Sequence, residues 1–165
     1  NFSAIWSAGA GVRPLAWMVS QPVTPREQGE TVPSLSEALD IAGAGAALRL
    51  WFLSASYMKS LAFSPESLVM WVKNQNRLQD AYVSASLGGK GTGMSPELEQ
   101  ANYDLKTAFA SALDDNLDLA HFWPVLFAFA KSVNTRAGKM SEPEAALVAE
   151  AKEGVPFEAL LSYDD

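Results

Sequence analysis

The stretch "LRLWFLSASYMKSLAFSPESL", residues 48–68, decides how the rest of the chain is read. Leu48, Trp51, Phe52 and Ala55 recur at helical spacing, and Leu50 and Leu53 widen that stripe. A helix this apolar on most of its circumference is a largely buried one. It is expected to run from about Ala46 to Ser56. "MKSLAF" then crosses to Ser64, an N-cap residue, with Pro65 at the first helical position, where its missing N–H costs nothing. Glu66 suits the positive helix end. A buried helix, a short crossover and a capped helix start imply helix packed on helix.

Toward the N-terminus, Ser34-x-x-Glu37 has the spacing of a capping box. Leu35, Ala38, Leu39 and Ala42 fall on one face, until Gly43-Ala44-Gly45 breaks or bends the helix. Residues 1–33 hold four prolines and no sustained period, so an irregular arm is expected there. Short strands near Ile5 and Ala16–Val19, with Trp6 and Trp17 as anchors, fit that arm. Toward the C-terminus, Leu68, Val72, Gln75, Leu78, Tyr82 and Ala85, with Trp71 beside them, carry a helix to about Leu87. Gly88–Gly93 is a loop. Ser95 and Pro96 start another helix, continued by Tyr103, Leu105, Ala108 and Leu113. Asp114–Asp118 closes it and caps a helix from Leu119 to Asn134, in whose first two turns Pro124 favours a kink. Val125, Leu126, Phe129 and Val133 form its core stripe. A last helix is expected over Ser141–Lys152. The expected fold is all-α: an antiparallel bundle of about five helices over residues 34–165 behind an irregular segment over residues 1–33.

Composition excludes several function classes. The 165 residues are 48% hydrophobic with a net charge of −7, which suits one globular domain and not a disordered chain. Arg49, Lys59 and Lys73 interrupt the apolar stretches before any reaches the roughly 20 residues of a membrane span. The chain begins with Asn1 and shows no secretory leader, which fits a fragment or a processed product and a cytoplasmic setting. With no cysteine, thiol nucleophiles and cysteine-based zinc sites are excluded. The single histidine, His121, has no Gly-x-Ser-x-Gly elbow to complete a triad. Gly88–Gly93 contains Lys90 but lacks the preceding strand and following Lys-Ser/Thr of a phosphate loop. Asp114, Asp115 and Asp118 are better spent as cap and loop acceptors than as calcium ligands, which need a distal glutamate at fixed spacing. No metal and no cofactor are expected.

Three stretches in register resemble the DALR-type helical domain of cysteinyl-tRNA synthetases. "AALRLWFLSASY" (46–57) is similar to that family's Leu-Arg, aromatic, Leu-Ser and closing-Tyr pattern. "SLAFSPESL" (60–68) is similar to its Leu-Asn-Phe-Ser-Glu-Glu-Leu helix start. "ALDDNLDLAHFWPVLFAFAKSVN" (112–134) aligns without a gap with its Ala-Met-Asp-Asp-Asp-Phe-Asn-Thr-Pro run and then with its Val-Leu-Phe, Ala-Arg and Ile-Asn pairs. The resemblance covers about residues 34–136 and implies a tRNA-facing helical bundle. The family's Lys-Met-Ser-Lys-Ser loop, whose lysines stabilise ATP phosphates, is replaced here by residues 24–33. That segment has Arg26 as its one cation and carries Glu27 and Glu30. The His-Ile-Gly-His motif and the family's zinc ligands have no counterpart in this chain.

The resemblance therefore implies a module without catalysis of its own, a pseudoenzyme that binds tRNA or a protein partner. The alternative is the C-terminal part of a cysteine–tRNA ligase, active only with a missing nucleotide-binding domain. Arg49 either pairs with Glu37, Asp40 or the Asp114–Asp118 cluster, or faces tRNA or the catalytic domain. Candidate tRNA contacts are Arg49, Lys59, Lys73, Arg77, Lys131 and Arg136, with Lys90 in the loop. The aromatic run Phe122, Trp123 and Phe127, apolar all round, is the candidate protein interface. The bland alternative for the cations is a scatter of solvated helix faces, because an acidic chain lacks the usual electrostatic footprint of a polyanion binder.

Overall fold

The computed structural model describes residues 19–86 and 91–155. Expectations that fall on Ile5, Trp6, Trp17 and Lys90 lie outside the described residues. The elements, in order, are β1 (Val23–Pro25), α1 (Leu35–Ala42), α2 (Gly45–Phe52), β2 (Leu61–Phe63), α3 (Pro65–Ser86), α4 (Pro96–Asp114), a 3-10 turn (Leu119–His121), α5 (Phe122–Thr135) and α6 (Glu142–Gly154). The protein is an all-α bundle, with six α-helices among the described residues against the five or so expected.

Local chemistry sets most of the boundaries. Ser34 and Glu37 form the capping box: the Glu37 amide donates to Ser34 Oγ at 3.3 Å and the Ser34 amide to Glu37 Oε2 at 2.8 Å. Gly43 ends α1 at φ 65°, a left-handed conformation that glycine adopts without Cβ penalty. The helix α2 stops at Phe52, four residues before the expected Ser56. Ser54 Oγ donates to the Trp51 carbonyl at 2.6 Å, and Ser56 Oγ accepts from the Met58 amide at 3.4 Å. These serines satisfy the backbone locally and compete with helix continuation.

Nothing in the sequence pattern announced the two-stranded parallel ribbon. β1 pairs with β2 in the register Val23↔Leu61, Thr24↔Ala62, Pro25↔Phe63. Part of the N-terminal segment expected to be irregular is thus a strand, fastened beside the crossover between α2 and α3.

The core is one cluster. Ala47, Leu48, Leu50 and Trp51 of α2 meet Leu68, Trp71 and Leu78 of α3, and these meet Phe122, Trp123, Leu126, Phe129 and Val133 of α5. Trp51 Nε1 donates to Ser67 Oγ at 3.1 Å, and Trp123 Nε1 to the Leu53 carbonyl at 3.0 Å. The second bond ties the start of α5 to the end of α2. Pro124 lies in the first turn of α5, where backbone N–H groups have no helical acceptor, so the expected cause of a kink is absent. On α4 the buried residues are Leu98, Asn102, Leu105 and Ala112; Tyr103 and Leu113, which continue the helix, are exposed.

The far end of the bundle is held by a buried carboxylate. Glu144, in the first turn of α6, is fully buried. It accepts from the Ser141 amide at 2.8 Å, the Ser95 amide at 3.0 Å and Arg136 Nη2 at 2.8 Å. One side chain thereby joins the N-termini of α4 and α6 to the C-terminus of α5. Ser141 Oγ donates to the Gly93 carbonyl. A Cβ on Gly91 would overlap the Lys139 carbonyl. Residues 91–93, expected as part of a loop, are packed against residues 139–141.

Candidate nucleic-acid interface

Helices α3 and α5 lie side by side, and polar side chains stitch their seam. Ser84 Oγ bonds Asn134 Oδ1 at 3.1 Å, and Asn134 Nδ2 donates to the Arg77 carbonyl at 3.5 Å. Beside this seam α5 presents Phe127, Ala130, Lys131, Asn134 and Thr135, a stripe at i, i+3, i+4, i+7 and i+8. Arg77, Ala130, Lys131, Asn134 and Thr135 line a hollow of about 280 Å³. The Arg77 guanidinium sits over the Phe127 ring, 5.2 Å from its centroid. Lys73 stands one turn before Arg77 on the exposed side of α3, in a hollow that Glu66, Val69 and Met70 also line. Residues four apart on a helix are surface neighbours. Two of the cations expected to face tRNA, Arg77 and Lys131, thus line one hollow, and a third, Lys73, stands one turn away along α3.

A second groove, of about 440 Å³, lies on the other flank of Lys131 and is lined by Ser95, Glu97, Ser132 and Arg136 among others. Electrostatics separates the two. The Ser95 hydroxyl donates to Glu97 Oε2 at 2.6 Å and, with the Glu97 amide, holds that carboxyl below its ordinary value despite a small opposing effect of burial. A charged carboxylate at the lip disfavours a phosphate there. Arg136 is already engaged by Glu144 at 2.7 Å. Lys106 is engaged by Glu150 at 2.7 Å. Among the described residues Lys73, Arg77 and Lys131 make no ion pair. The lining of the Arg77 hollow holds no carboxylate, whereas that of the second groove holds Glu97.

The remaining sequence candidates scatter. Arg49 is exposed on α2, and Lys59 is exposed in the turn between α2 and β2. Phe122 and Trp123 are inside the core, at 1% and 5% exposure. They pack on each other at 5.7 Å, on Phe109 and on Trp71. Their apolar excess is consumed within this chain, so neither offers a surface to a partner; Phe127 is half-buried under Arg77. His121 is exposed at the end of the 3-10 turn. Asp118 Oδ1 accepts from the Ala120 amide at 3.0 Å, as expected of a cap. Among the described residues no three His, Cys, Asp or Glu side chains converge as a metal group would require. No helix among them is long and apolar enough to cross a membrane.

Two contributors were missed in the sequence. Glu144 carries a visible signal, since Ser141-x-x-Glu144 repeats the Ser34–Glu37 spacing; its reach to Ser95 and Arg136 has none. The ring beneath Arg77 is also invisible locally, because Phe127 and Arg77 are 50 residues apart.

A cysteine–tRNA ligase of Finegoldia magna is 32% identical to this chain over 90 residues. The match covers 53% of this chain and 19% of that protein, so the chain spans about a fifth of its length. No protein-family model matches the chain. No solved structure matches it. The similarity supports a tRNA-synthetase-related origin.

Proposed function

We propose that this chain is a tRNA-contacting helical module of cysteine–tRNA ligase descent, which meets the RNA through the charges of Lys73, Arg77 and Lys131 and performs no aminoacylation by itself. One observation carries the reading: in a chain of net charge −7, Arg77 and Lys131 line one hollow with Lys73 one helical turn away, and among the described residues none of the three makes an ion pair. Exposed lysines and arginines that neutralise no acid of their own are set to displace counterions from a phosphate backbone. Two carboxylates support the non-catalytic half. Glu27 and Glu30 occupy the segment that, in the resemblance, carries phosphate-binding lysines. Both are exposed, and the Glu27 amide is bonded by Glu30 Oε2 at 3.2 Å. A negative turn there opposes ATP.

The 19% span favours a second reading, in which the chain is the helical portion of a larger ligase whose nucleotide site lies in another segment. The RNA face is the same in both. A longer reading frame carrying the His-Ile-Gly-His motif would decide for the second.

The test replaces Lys73 and Lys131 by glutamine, singly and together, and follows tRNA affinity by fluorescence anisotropy. Lys106→Gln is the control, because Lys106 is already paired with Glu150 on a different helix pair. Each of the first two is expected to weaken binding and lower the salt slope by about 1, while the control leaves both unchanged. Equal losses in all three, or none in the double variant, would remove this face from the account.

A further inference from the structure

We propose that the hollow between α3 and α5 takes a single unpaired nucleotide, its base stacked on the Arg77 guanidinium and its phosphate paired with Lys131. The proposal rests on the RNA-binding reading above and adds to it which state of the RNA the face selects.

The platform is built before any ligand arrives. Phe127 is wedged by Trp71 at 6.1 Å and by Trp123, which stacks at 28° and 6.3 Å. Arg77 lies over the Phe127 ring. The guanidinium is therefore a planar cation set against packed rings, and Arg77 as a residue is exposed to solvent. Such a plane accepts an unpaired base by stacking and cation–π attraction. A lysine in its place would keep the charge and lose the plane.

The spacing suits one nucleotide. Lys131 lies one turn beyond Phe127, about 6 Å along the helix axis. That is the scale separating a base from its own phosphate. The hollow of about 280 Å³ falls just below the roughly 300–1,000 Å³ of ordinary small-molecule sites. A base held within a duplex cannot turn its face to Arg77, so a duplex meets only the charges.

The polar groups of the hollow also predict what it does not read. Asn134 spends its amide on Ser84 and on the Arg77 carbonyl. The Thr135 hydroxyl donates to the Lys131 carbonyl at 2.8 Å. With these committed to the fold, base identity has little to register against, and selection is for an exposed base face.

The experiment compares the full chain with Arg77→Lys and Lys131→Gln on a single-stranded 12-nucleotide RNA, its duplex, and tRNA, across a salt series. Circular dichroism melts check that each variant is folded. Arg77→Lys is expected to weaken single-strand binding about tenfold, leave duplex affinity alone, and keep the salt slope. Lys131→Gln is expected to weaken both forms and lower the slope by about 1. Replacing one base by another in the single strand should change little. If Arg77→Lys binds the single strand as wild type does, or loses single strand and duplex alike, the nucleotide pocket is overturned while the tRNA-contacting face stands. If wild type binds none of the three RNAs, both readings fall together.

Discussion

Replacing Glu144 by glutamine should loosen the bundle at the point where three helix ends meet. The side chain is buried and accepts two backbone amides and the Arg136 guanidinium. Burial alone pushes its carboxyl up. The Ser141 amide, the Arg136 hydrogen bond, the Ser95 amide and the Arg136 charge outweigh that and leave it below its ordinary 4.5. Glutamine keeps one acceptor oxygen, but its amide group faces donors where an acceptor is needed. Breaking a buried ion pair costs about 3–5 kcal/mol. Because the Arg136 side chain is 32% exposed and water can recover part of its solvation, the lower end applies, about 3 kcal/mol. For a chain of this size each kcal/mol moves the melting temperature by about 2–4 °C, so a fall of roughly 6–12 °C is expected at pH 7. The pH dependence gives the sharper signature. A carboxyl whose folded value is depressed contributes its full stability above 4.5 and loses it as pH falls through the folded value. The gap between wild type and Glu144→Gln should therefore be widest near neutrality and narrow progressively below pH 4.5. Circular dichroism melts from pH 7 to pH 3 measure it. A variant within 1 °C of wild type at pH 7, or a gap that stays constant through the acid range, would refute the reasoning.

Two further substitutions probe the same frame. Gly91→Ala drives a methyl into the Lys139 carbonyl and should cost about 2 kcal/mol, read as a lower urea midpoint with unchanged slope. Trp123→Phe removes the donor to the Leu53 carbonyl and shrinks a core ring, for about 2 kcal/mol and a melting temperature lower by roughly 4–8 °C.

Helix existence was legible because its signals are local. Ser34 with Glu37, Ser64 with Pro65, and Ser95 with Pro96 each announce a helix start within four residues. The end of α2 was not, because Ser54 and Ser56 had to choose between extending the helix and bonding nearby backbone. The ribbon of β1 and β2 was hidden for another reason: three-residue strands carry almost no period, and their pairing spans 38 residues from Val23 to Leu61. The candidate site was half legible. Lys73, Arg77 and Lys131 could be named as cations, but only packing shows that Arg77 and Lys131 line one hollow while Arg136 is engaged by Glu144. The aromatic run of α5 misled in the opposite direction. An all-round apolar helix suggests an outside partner, and here Trp71, Phe109 and the end of α2 already supply one.

The most direct measurement is the salt dependence of wild-type tRNA binding by fluorescence anisotropy. Three cations that displace counterions, Lys73, Arg77 and Lys131, predict a log–log slope of about −2 to −3 against salt concentration. Saturable binding with that slope would bear out the central claim. No binding at low salt, or binding indifferent to salt, would contradict it.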